Sequence, residues 1–142
     1  MANSVCEVLV TEAPLAVAQD NDVDLGAGAI VDFWGAVRQL ENDGQIDGID
    51  YEAHKAMAEH QMKLIADCAA GKFQLRHVSL RHRIGFVRAG EASLFLRVTA
   101  AHRAEAFEAS KWIVDELKKK VPIWKKPRFK IDMEHLAPAT TV

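Results

Sequence analysis

The stretch AHRAEAFEASKWIVDELKKKVPIWKK, residues 101–126, is the most informative part of this chain. Its centre predicts a long helix over Ala104–Lys120, which Pro122 ends. The pair His102-Arg103 stands directly before that helix. Two groups of lysines follow at its far end, namely Lys118, Lys119 and Lys120, then Lys125 and Lys126. This density of basic groups beside a histidine predicts a pocket for an anion.

The residues upstream of this stretch show the periodicities of strands and of a second helix. Apolar residues alternate with others over Ala92–Ala100 and Val78–Ile84, which predicts two strands. Helical spacing over Glu52–Ala70 predicts the clearest helix, with Gly71 as its C-cap. The remaining predicted elements are a strand Val5–Val10, a short helix capped by Thr11, a strand Gly26–Arg38, a mobile polar loop Gln39–Gly48, a short strand Ile49–Tyr51 and a turn Val87–Glu91.

This order of elements predicts an α+β fold, with two long helices against a largely antiparallel sheet. At 142 residues the chain is most simply one domain, residues 1–136, with a frayed tail at residues 137–142. No apolar run approaches the ~20 residues that cross a bilayer, and the N-terminus does not resemble a signal peptide. We therefore expect a soluble, cytoplasmic protein in which Cys6 and Cys68 are free and structural.

Charge is unevenly distributed along the chain, although the formal net charge is only −2. Residues 1–60 carry 12 acidic and 2 basic side chains, whereas residues 61–142 carry 8 acidic and 16 basic ones. The basic half can focus an anion, but the same polarity also serves solubility and subunit orientation. The overall balance does not favour a nucleic-acid binder.

The candidate functional residues cluster around the quoted stretch. His102 and Arg103 lie where a strand ends and a helix begins, so backbone N–H groups and a planar guanidinium there favour a phosphate. A helix-capping histidine beside a solvated arginine explains the spacing equally well. Lys118 is crowded by cations, which makes a neutral nucleophilic amine more accessible, although lysines near a helix C-terminus commonly just complement the dipole.

Three further residues invite a functional or a structural interpretation. Arg38 ends a predicted strand before a flexible loop, where it can meet a ligand or remain a surface arginine. Trp124 can wall a pocket for a flat heterocycle, although such a residue more often belongs to the core. His82 falls in the apolar register of its strand, which favours a buried, hydrogen-bonded histidine. The six histidines and two cysteines show no metal-binding spacing, so we expect no metal.

Five pieces of the sequence together resemble the large, catalytic subunit of molybdopterin synthase. They span roughly residues 5–126 in the order and spacing of that family. The pieces are GAIVDFWGAVR (28–38), IDYEAH (49–54), HRIGFVRAGE (82–91), VTAAHRAEAFEA (98–109) and DELKKKVPIWKK (115–126). The resemblance implies an α/β-hammerhead-type fold, which is compatible with the element order above.

The resemblance also implies an activity and a set of partners. The family converts cyclic pyranopterin monophosphate into the dithiolene molybdopterin and is therefore a sulfurtransferase. Sulfur arrives as a thiocarboxylate on the C-terminal Gly-Gly tail of a ubiquitin-like small subunit, so no cofactor of the chain itself is expected. The implied assembly is a homodimer of large subunits within a heterotetramer.

The resemblance assigns roles to particular positions. Lys118 and Lys125 match the family's two essential lysines and are the implied catalytic residues. The implied substrate-binding residues are Arg38, His102, Arg103 and Phe33. The segment after Lys126 departs from the family pattern, in which a C-terminal arginine enters the neighbouring subunit's pocket. Arg128 is the candidate for that contribution in trans.

Two other classes of function compete with the enzyme. A non-catalytic interaction protein would keep the fold and the groove for the partner's tail, and the altered C-terminus is its support. A nucleic-acid or nucleotide binder would use a basic, aromatic-bearing sheet face. The candidate residues for such a face, Phe95 and Arg97, are too few to favour it.

Overall fold

The computed structural model describes residues 4–16, 24–41 and 44–130. Two long helices pack against one face of a four-stranded sheet, and a second sheet adjoins it. The elements in chain order are β1 (Val5–Thr11), β2 (Ala29–Ala36), β3 (Leu40–Glu41), β4 (Gly44–Ala53), α1 (Lys55–Phe73), β5 (Leu75–Arg83), β6 (Gly85–Arg88), β7 (Ala92–Ala100), α2 (Arg103–Lys120) and β8 (Ile123–Phe129). The predicted α+β class with a mostly antiparallel sheet and two long helices is confirmed.

The first sheet has the strand order β1-β5-β7-β2. Its β1–β5 pair is parallel, while β5–β7 and β7–β2 are antiparallel. In the second sheet, residues 48–51 of β4 pair with both β6 and β8. Because a strand has two hydrogen-bonding edges, β4 lies between β6 and β8.

Apolar burial between the helices and the first sheet forms the main core. Met62 of α1, Ile113 of α2 and Leu96 of β7 are all fully buried there. Each such side chain contributes about 1.5–3 kcal/mol relative to an exposed one. A smaller cluster of Val37, Ile46, Ile49 and Val87 lies beside the second sheet. The edge of this smaller core carries the candidate site.

The polar segment 39–48 is not the loop that the sequence predicts. Its described residues form β3 and the start of β4, and Ile46 is fully buried. The backbone N–H of Ile46 donates to the Gln39 carbonyl, and the N–H of Lys130 donates to the Gln45 carbonyl. Pairing on both edges thus organises a sequence whose composition resembles a loop. Residues 42–43 lie outside the described residues.

The strand β8 was missed by the sequence analysis. It pairs with β4, about 75 positions earlier in the chain, from Ile46↔Phe129 to Ala53↔Ile123. Its middle, Trp124-Lys125-Lys126-Pro127-Arg128, is polar and contains a proline, so no local pattern marks it as a strand. A proline is tolerated there because β8 has an open edge.

Three smaller predictions also need correction. Residues 12–16 are not helical, because Thr11 Oγ1 accepts a hydrogen bond from the Ala13 N–H in a local turn. Gly71 is not the C-cap of α1, since the helix continues to Phe73 and Gln74 adopts the left-handed conformation with φ 57°. The turn predicted at 87–91 begins as the strand β6. The predicted tail, residues 137–142, lies outside the described residues.

Two predicted elements agree closely with the structure. The strand Ala92–Ala100 has the predicted bounds, and α2 begins one residue earlier than predicted. Cys6 and Cys68 are both free thiols. Within the described part of the chain, no helix is long and apolar enough to span a bilayer.

Candidate active site

A cleft of about 600 Å³ opens along the second sheet, where β6, β4 and β8 run side by side. Its lining is polar and carries both signs of charge, and consists of Asp50, Tyr51, Glu52, Gly85, Trp124, Lys125, Lys126 and Arg128. A second cleft of about 470 Å³ shares four of these residues and adds Glu12, Ala53 and Ile84. Trp124 lines both clefts and is 65% exposed, so this tryptophan is not a core residue.

Alternation along β8 separates its two lysines. Lys125 stands opposite Tyr51 in the β4–β8 register, while Lys126 stands opposite Asp50. Because successive residues of a strand face opposite sides, Lys125 shares a face with Tyr51. Lys126 shares the other face with Trp124 and Arg128. The two neighbouring lysines therefore lie on opposite faces of the strand, although both line the cleft.

An ion pair fixes the position of the Lys125 ammonium group. Its Nζ lies 3.3 Å from Oε1 of Glu41, at the end of β3. Glu41 is only 13% exposed, whereas the side chain of Lys125 is 57% exposed. The ammonium group is thus held on one side and open to the cleft on the other.

Arg38 lies two residues beyond the end of β2, in the link to β3. Preceding it, Val37 exchanges hydrogen bonds with the turn at Gly90 and Glu91. The side chain of Arg38 is exposed and has no hydrogen-bond or ion-pair partner among the described residues. Arg38 thus precedes Glu41 by three positions along the chain, and Glu41 in turn pairs with Lys125.

Lys118 lies in the last turn of α2 and is exposed. Its neighbours Lys119 and Lys120 pair with Glu116 at 3.8 and 2.8 Å. Lys118 itself has no such partner within the part of the chain that the structure describes. The two-residue link Val121-Pro122 joins this turn directly to β8. An unpaired ammonium group therefore stands where α2 enters the strand that carries Lys125.

His102 and Arg103 stand at the opposite end of α2. His102 is the N-cap residue in extended conformation, but its side chain makes no capping hydrogen bond. This excludes the interpretation of His102 as a side-chain cap. Both side chains are exposed, and both flank the free N–H groups of the first helical turn. This geometry can bind an anion.

The structure does not bring the two predicted groups together in one protomer. Lys118 lies 15 positions after Arg103, and at about 1.5 Å per position the two are roughly 22 Å apart along the axis of α2. Lys125 pairs with Glu41, which follows Arg38 by three positions in the chain, and Lys118 lies shortly before β8. The His102-Arg103 pair, at the other end of α2, is remote from Lys118 and β8.

Phe33 and Arg128 are placed differently from the cationic groups. Phe33 lies in β2 opposite Leu96 and is 39% exposed. Arg128 forms a two-pronged ion pair with Asp50 of its own chain, with Nη2 2.8 Å from Oδ1. Its guanidinium also lies 4.2 Å from the centre of the Phe86 ring. A contribution of Arg128 to a neighbouring subunit stays a prediction.

A partly buried chain of polar groups links Tyr51, which lines the cleft, to the first sheet. The Tyr51 hydroxyl donates to Ser93 Oγ at 3.2 Å, and Ser93 donates to the Gly35 carbonyl at 3.4 Å. The ring of Tyr51 meets that of His82 edge-on, with centroids 5.2 Å apart. His82 Nδ1 contacts the Arg83 carbonyl at 2.7 Å, and burial lowers the pKa of His82. His82 is thus hydrogen-bonded as its register predicts, but it is half-buried rather than fully buried.

Sequence reasoning missed Glu41 as a part of the site. The sequence places it in a supposed mobile loop, and its partner Lys125 is 84 positions away, so no local signal links the two. Among the described residues there is no group of three or more His, Cys, Asp or Glu side chains that could hold a metal.

Comparison with known proteins connects this geometry to named relatives. A family model described as MoaE protein matches residues 10–120. The molybdopterin synthase catalytic subunit of Oryza sativa subsp. indica is 43% identical over 107 residues, which are 75% of this chain and 55% of the rice protein. The chain thus spans about half the length of that relative.

Solved structures share the fold. The crystal structure of molybdopterin synthase from Staphylococcus aureus superposes with a TM-score of 0.81 at 27% identity, over 87% of this chain and 92% of the other. A chain from the complex of subunits 1 and 2 of the molybdopterin-converting factor of Helicobacter pylori gives 0.62 at 18% identity, over 92% of both chains.

Fold and site together define an α+β protein with an exposed lysine-rich corner suited to anionic ligands. The family match covers more than half of the chain. The chain belongs to the MoaE protein family.

Proposed function

We propose that this chain is a catalytic subunit of molybdopterin synthase. It would transfer sulfur from a thiocarboxylated small subunit to cyclic pyranopterin monophosphate and form the dithiolene of molybdopterin. The observation that carries this proposal is the lysine corner, in which Lys118, without an ion-pair partner among the described residues, lies shortly before β8 and its Lys125. The name of the rice relative, molybdopterin synthase catalytic subunit, supports it.

The chemistry requires cations near two anions. One is the phosphate of the pterin precursor, and the other is the thiocarboxylate at the end of the partner's tail. Lysine and arginine side chains in a partly dry cleft stabilise such charges more strongly than water does. A lysine can also supply the acid or base for opening the cyclic phosphate. We assign this role to Lys118, and the anchoring of the thiocarboxylate or an intermediate to Lys125.

We infer that sulfur comes from the small subunit and that the chain needs no cofactor of its own. The complex of subunits 1 and 2 of the H. pylori molybdopterin-converting factor, whose fold is similar, supports a small-subunit partner. We expect the reaction to occur in the cytoplasm, because Cys6 and Cys68 are free thiols, as is usual in a reducing compartment.

We further propose that each active site is assembled between two protomers of a homodimer. The backbone positions of Arg103 and Lys118 lie roughly 22 Å apart along one helix, which favours a site that takes these two residues from different protomers. A two-fold axis would bring the His102-Arg103 end of one protomer to the lysine corner of its partner. Two small subunits would complete a heterotetramer.

The function is tested by assaying molybdopterin formation in vitro, with fluorescence of the oxidised pterin as the readout. The reaction contains the chain, cyclic pyranopterin monophosphate and a thiocarboxylated small subunit. We expect Lys118→Ala to lower the rate at least about a hundredfold. The matched control is Lys119→Ala, which removes a lysine that already pairs with Glu116 and should retain activity.

Two outcomes would contradict the proposal. Near-normal product formation by Lys118→Ala would remove Lys118 from the chemistry. No product from the unchanged chain, despite a tight complex with the small subunit, would instead favour the non-catalytic interaction protein.

A further inference from the structure

Glu41 is an acidic side chain in a position that water scarcely reaches. It ends β3, opposite Gly44 of β4, and is only 13% exposed. A carboxylate removed from water raises the free energy of the fold unless a cation or hydrogen-bond donors compensate it. Among the described residues, Lys125 supplies the cation.

The Glu41–Lys125 pair differs from the other lysine pairs of the described chain. The pairs of Lys63, Lys111, Lys119 and Lys120 with carboxylates join residues three or four positions apart on one helix. Such local pairs lie on the surface of a helix and contribute little to the stability of the fold. Glu41 and Lys125 come from two different strands, 84 positions apart. Their pair therefore fixes a lysine head group relative to the tertiary structure.

The geometry leaves Lys125 able to act on a ligand. An ammonium group has three N–H donors, and Glu41 takes one of them at 3.3 Å. More than half of the Lys125 side chain is exposed, and it lines the cleft of about 600 Å³. The remaining donors can therefore reach an anion in that cleft while Glu41 restricts the rotamers of the flexible lysine stem.

We propose that Glu41 is a positioning residue that holds the ammonium group of Lys125 at the edge of the anion-binding cleft. This inference rests on the function proposed above, because it gives Lys125 a fixed place in that reaction. Holding a long side chain in its productive geometry before the substrate arrives lowers the entropic part of the barrier. Glu41 itself need not touch the substrate.

A double-mutant cycle tests the proposal in the complete assay with the small subunit and the pterin precursor. The variants are Glu41→Gln, Lys125→Met and the double variant, with kcat and KM measured for each. We expect Glu41→Gln to lower kcat about tenfold with KM for the pterin little changed. In the Lys125→Met background the same change should have no further effect, because Glu41 acts through Lys125.

Two further variants separate positioning from general stability. Glu41→Asp keeps the charge on a shorter stem and should recover part of the lost kcat. Asp67→Asn removes the carboxylate of the exposed Lys63 pair on α1 and should leave kcat unchanged. Wild-type kcat in Glu41→Gln would overturn the proposal. So would a loss of kcat on Glu41→Gln that is equally large whether Lys125 is present or replaced by Met.

A readout independent of activity keeps this inference separate from the proposed function. In chain labelled with ¹³C-lysine, the two Hε signals of Lys125 should differ, because the side chain is held in one rotamer. They should merge in Glu41→Gln. If the unchanged chain makes no molybdopterin, the proposed function fails, and the two Hε signals still decide whether Glu41 orders Lys125. Merged signals in the unchanged chain would refute the positioning role.

Discussion

Arg103 begins α2 and Lys118 lies in its last turn, so one rigid helix holds the two cations at opposite ends of the same protomer. The separation of roughly 22 Å follows from the helical rise alone. A straight helix of this kind cannot fold back to bring its ends to a common ligand. In the function proposed above, the His102-Arg103 end and the lysine corner therefore meet across an interface between two chains.

Mixing two inactive variants tests this arrangement. Arg103→Ala and Lys118→Ala should each be strongly impaired as homodimers. In a mixed dimer, one of the two sites would combine the intact Lys118 of one chain with the intact Arg103 of the other. After unfolding and refolding an equal mixture, we expect about a quarter of wild-type activity, because half of the dimers are mixed and half of their sites are intact.

The control for this experiment is an equal mixture of Lys118→Ala with Lys125→Ala. Both lysines belong to the same corner of one protomer, so no mixed site contains both of them. This mixture should stay inactive. Recovery in the control, or no recovery in the Arg103 and Lys118 mixture despite mixed dimers, would contradict the shared site.

The sequence predicted those parts of the fold in which apolar residues repeat with a regular local spacing. The helix α2 and the strand β7 were found because their apolar residues repeat with the spacing of a helix and a strand. The strands β3 and β8 were not found, because they are defined by pairing with β4 rather than by their own composition. Long-range pairing leaves no short-range pattern.

In the candidate site too, residues with a signal in the sequence differ from residues whose role depends on a long-range contact. The lysine clusters made Lys118 and Lys125 candidates, but only the resemblance to a family favoured them over the solvated role that such clusters usually have. Glu41 had no signal in the sequence, because its role depends on a contact between two strands. The distance between the two ends of α2 could have been computed from the predicted helix.

The end of α1 provides a stability prediction. Gln74 adopts φ 57° and ψ 48°, a left-handed conformation that glycine adopts without steric cost. Gly71 lies inside the helix, and a Cβ added there would meet no atom within 4 Å. We expect Gln74→Gly to stabilise the fold by about 1 kcal/mol and Gly71→Ala by about 0.5–1 kcal/mol. Each should raise Tm by roughly 3 °C in a thermal melt.

Gln74→Ala is the control for the helix end. Alanine keeps the Cβ that makes the left-handed conformation unfavourable, so its Tm should not rise. Destabilisation by Gly71→Ala would indicate instead that Gly71 is the true cap of α1.

The two cysteines should differ sharply in reactivity. Burial, together with a hydrogen bond to Asp67, raises the pKa of the Cys6 thiol to about 11, while Cys68 is exposed on α1. Because the thiolate is the nucleophile, Cys6 should present roughly a hundredfold less of the reactive form than an ordinary thiol. At pH 8, iodoacetamide should modify Cys68 first, as read by mass spectrometry. The variant Cys68→Ser should stay unmodified over the same time until it is unfolded, and equal rates at both cysteines would contradict the assignment.

The half-buried His82 predicts how stability changes with pH. Burial lowers its pKa below the ordinary value of about 6.5, and this outweighs the bond to the Arg83 carbonyl, which favours the charged ring. Below pH 6.5 the unfolded chain therefore binds a proton that the folded chain does not. Stability is full above that pH and falls as the pH drops, by at most about 1.4 kcal/mol per pH unit, until the folded ring also protonates.

The variant His82→Asn isolates this contribution. Asparagine offers an N–H to the Arg83 carbonyl but does not titrate, so the other ionisable groups affect both proteins alike. Urea unfolding at several pH values between 7.5 and 5.5 should show a steeper loss of stability for the unchanged chain than for His82→Asn. Parallel curves would mean that His82 takes up its proton equally well in the folded and unfolded states. In that case burial would not keep the ring neutral in the folded chain.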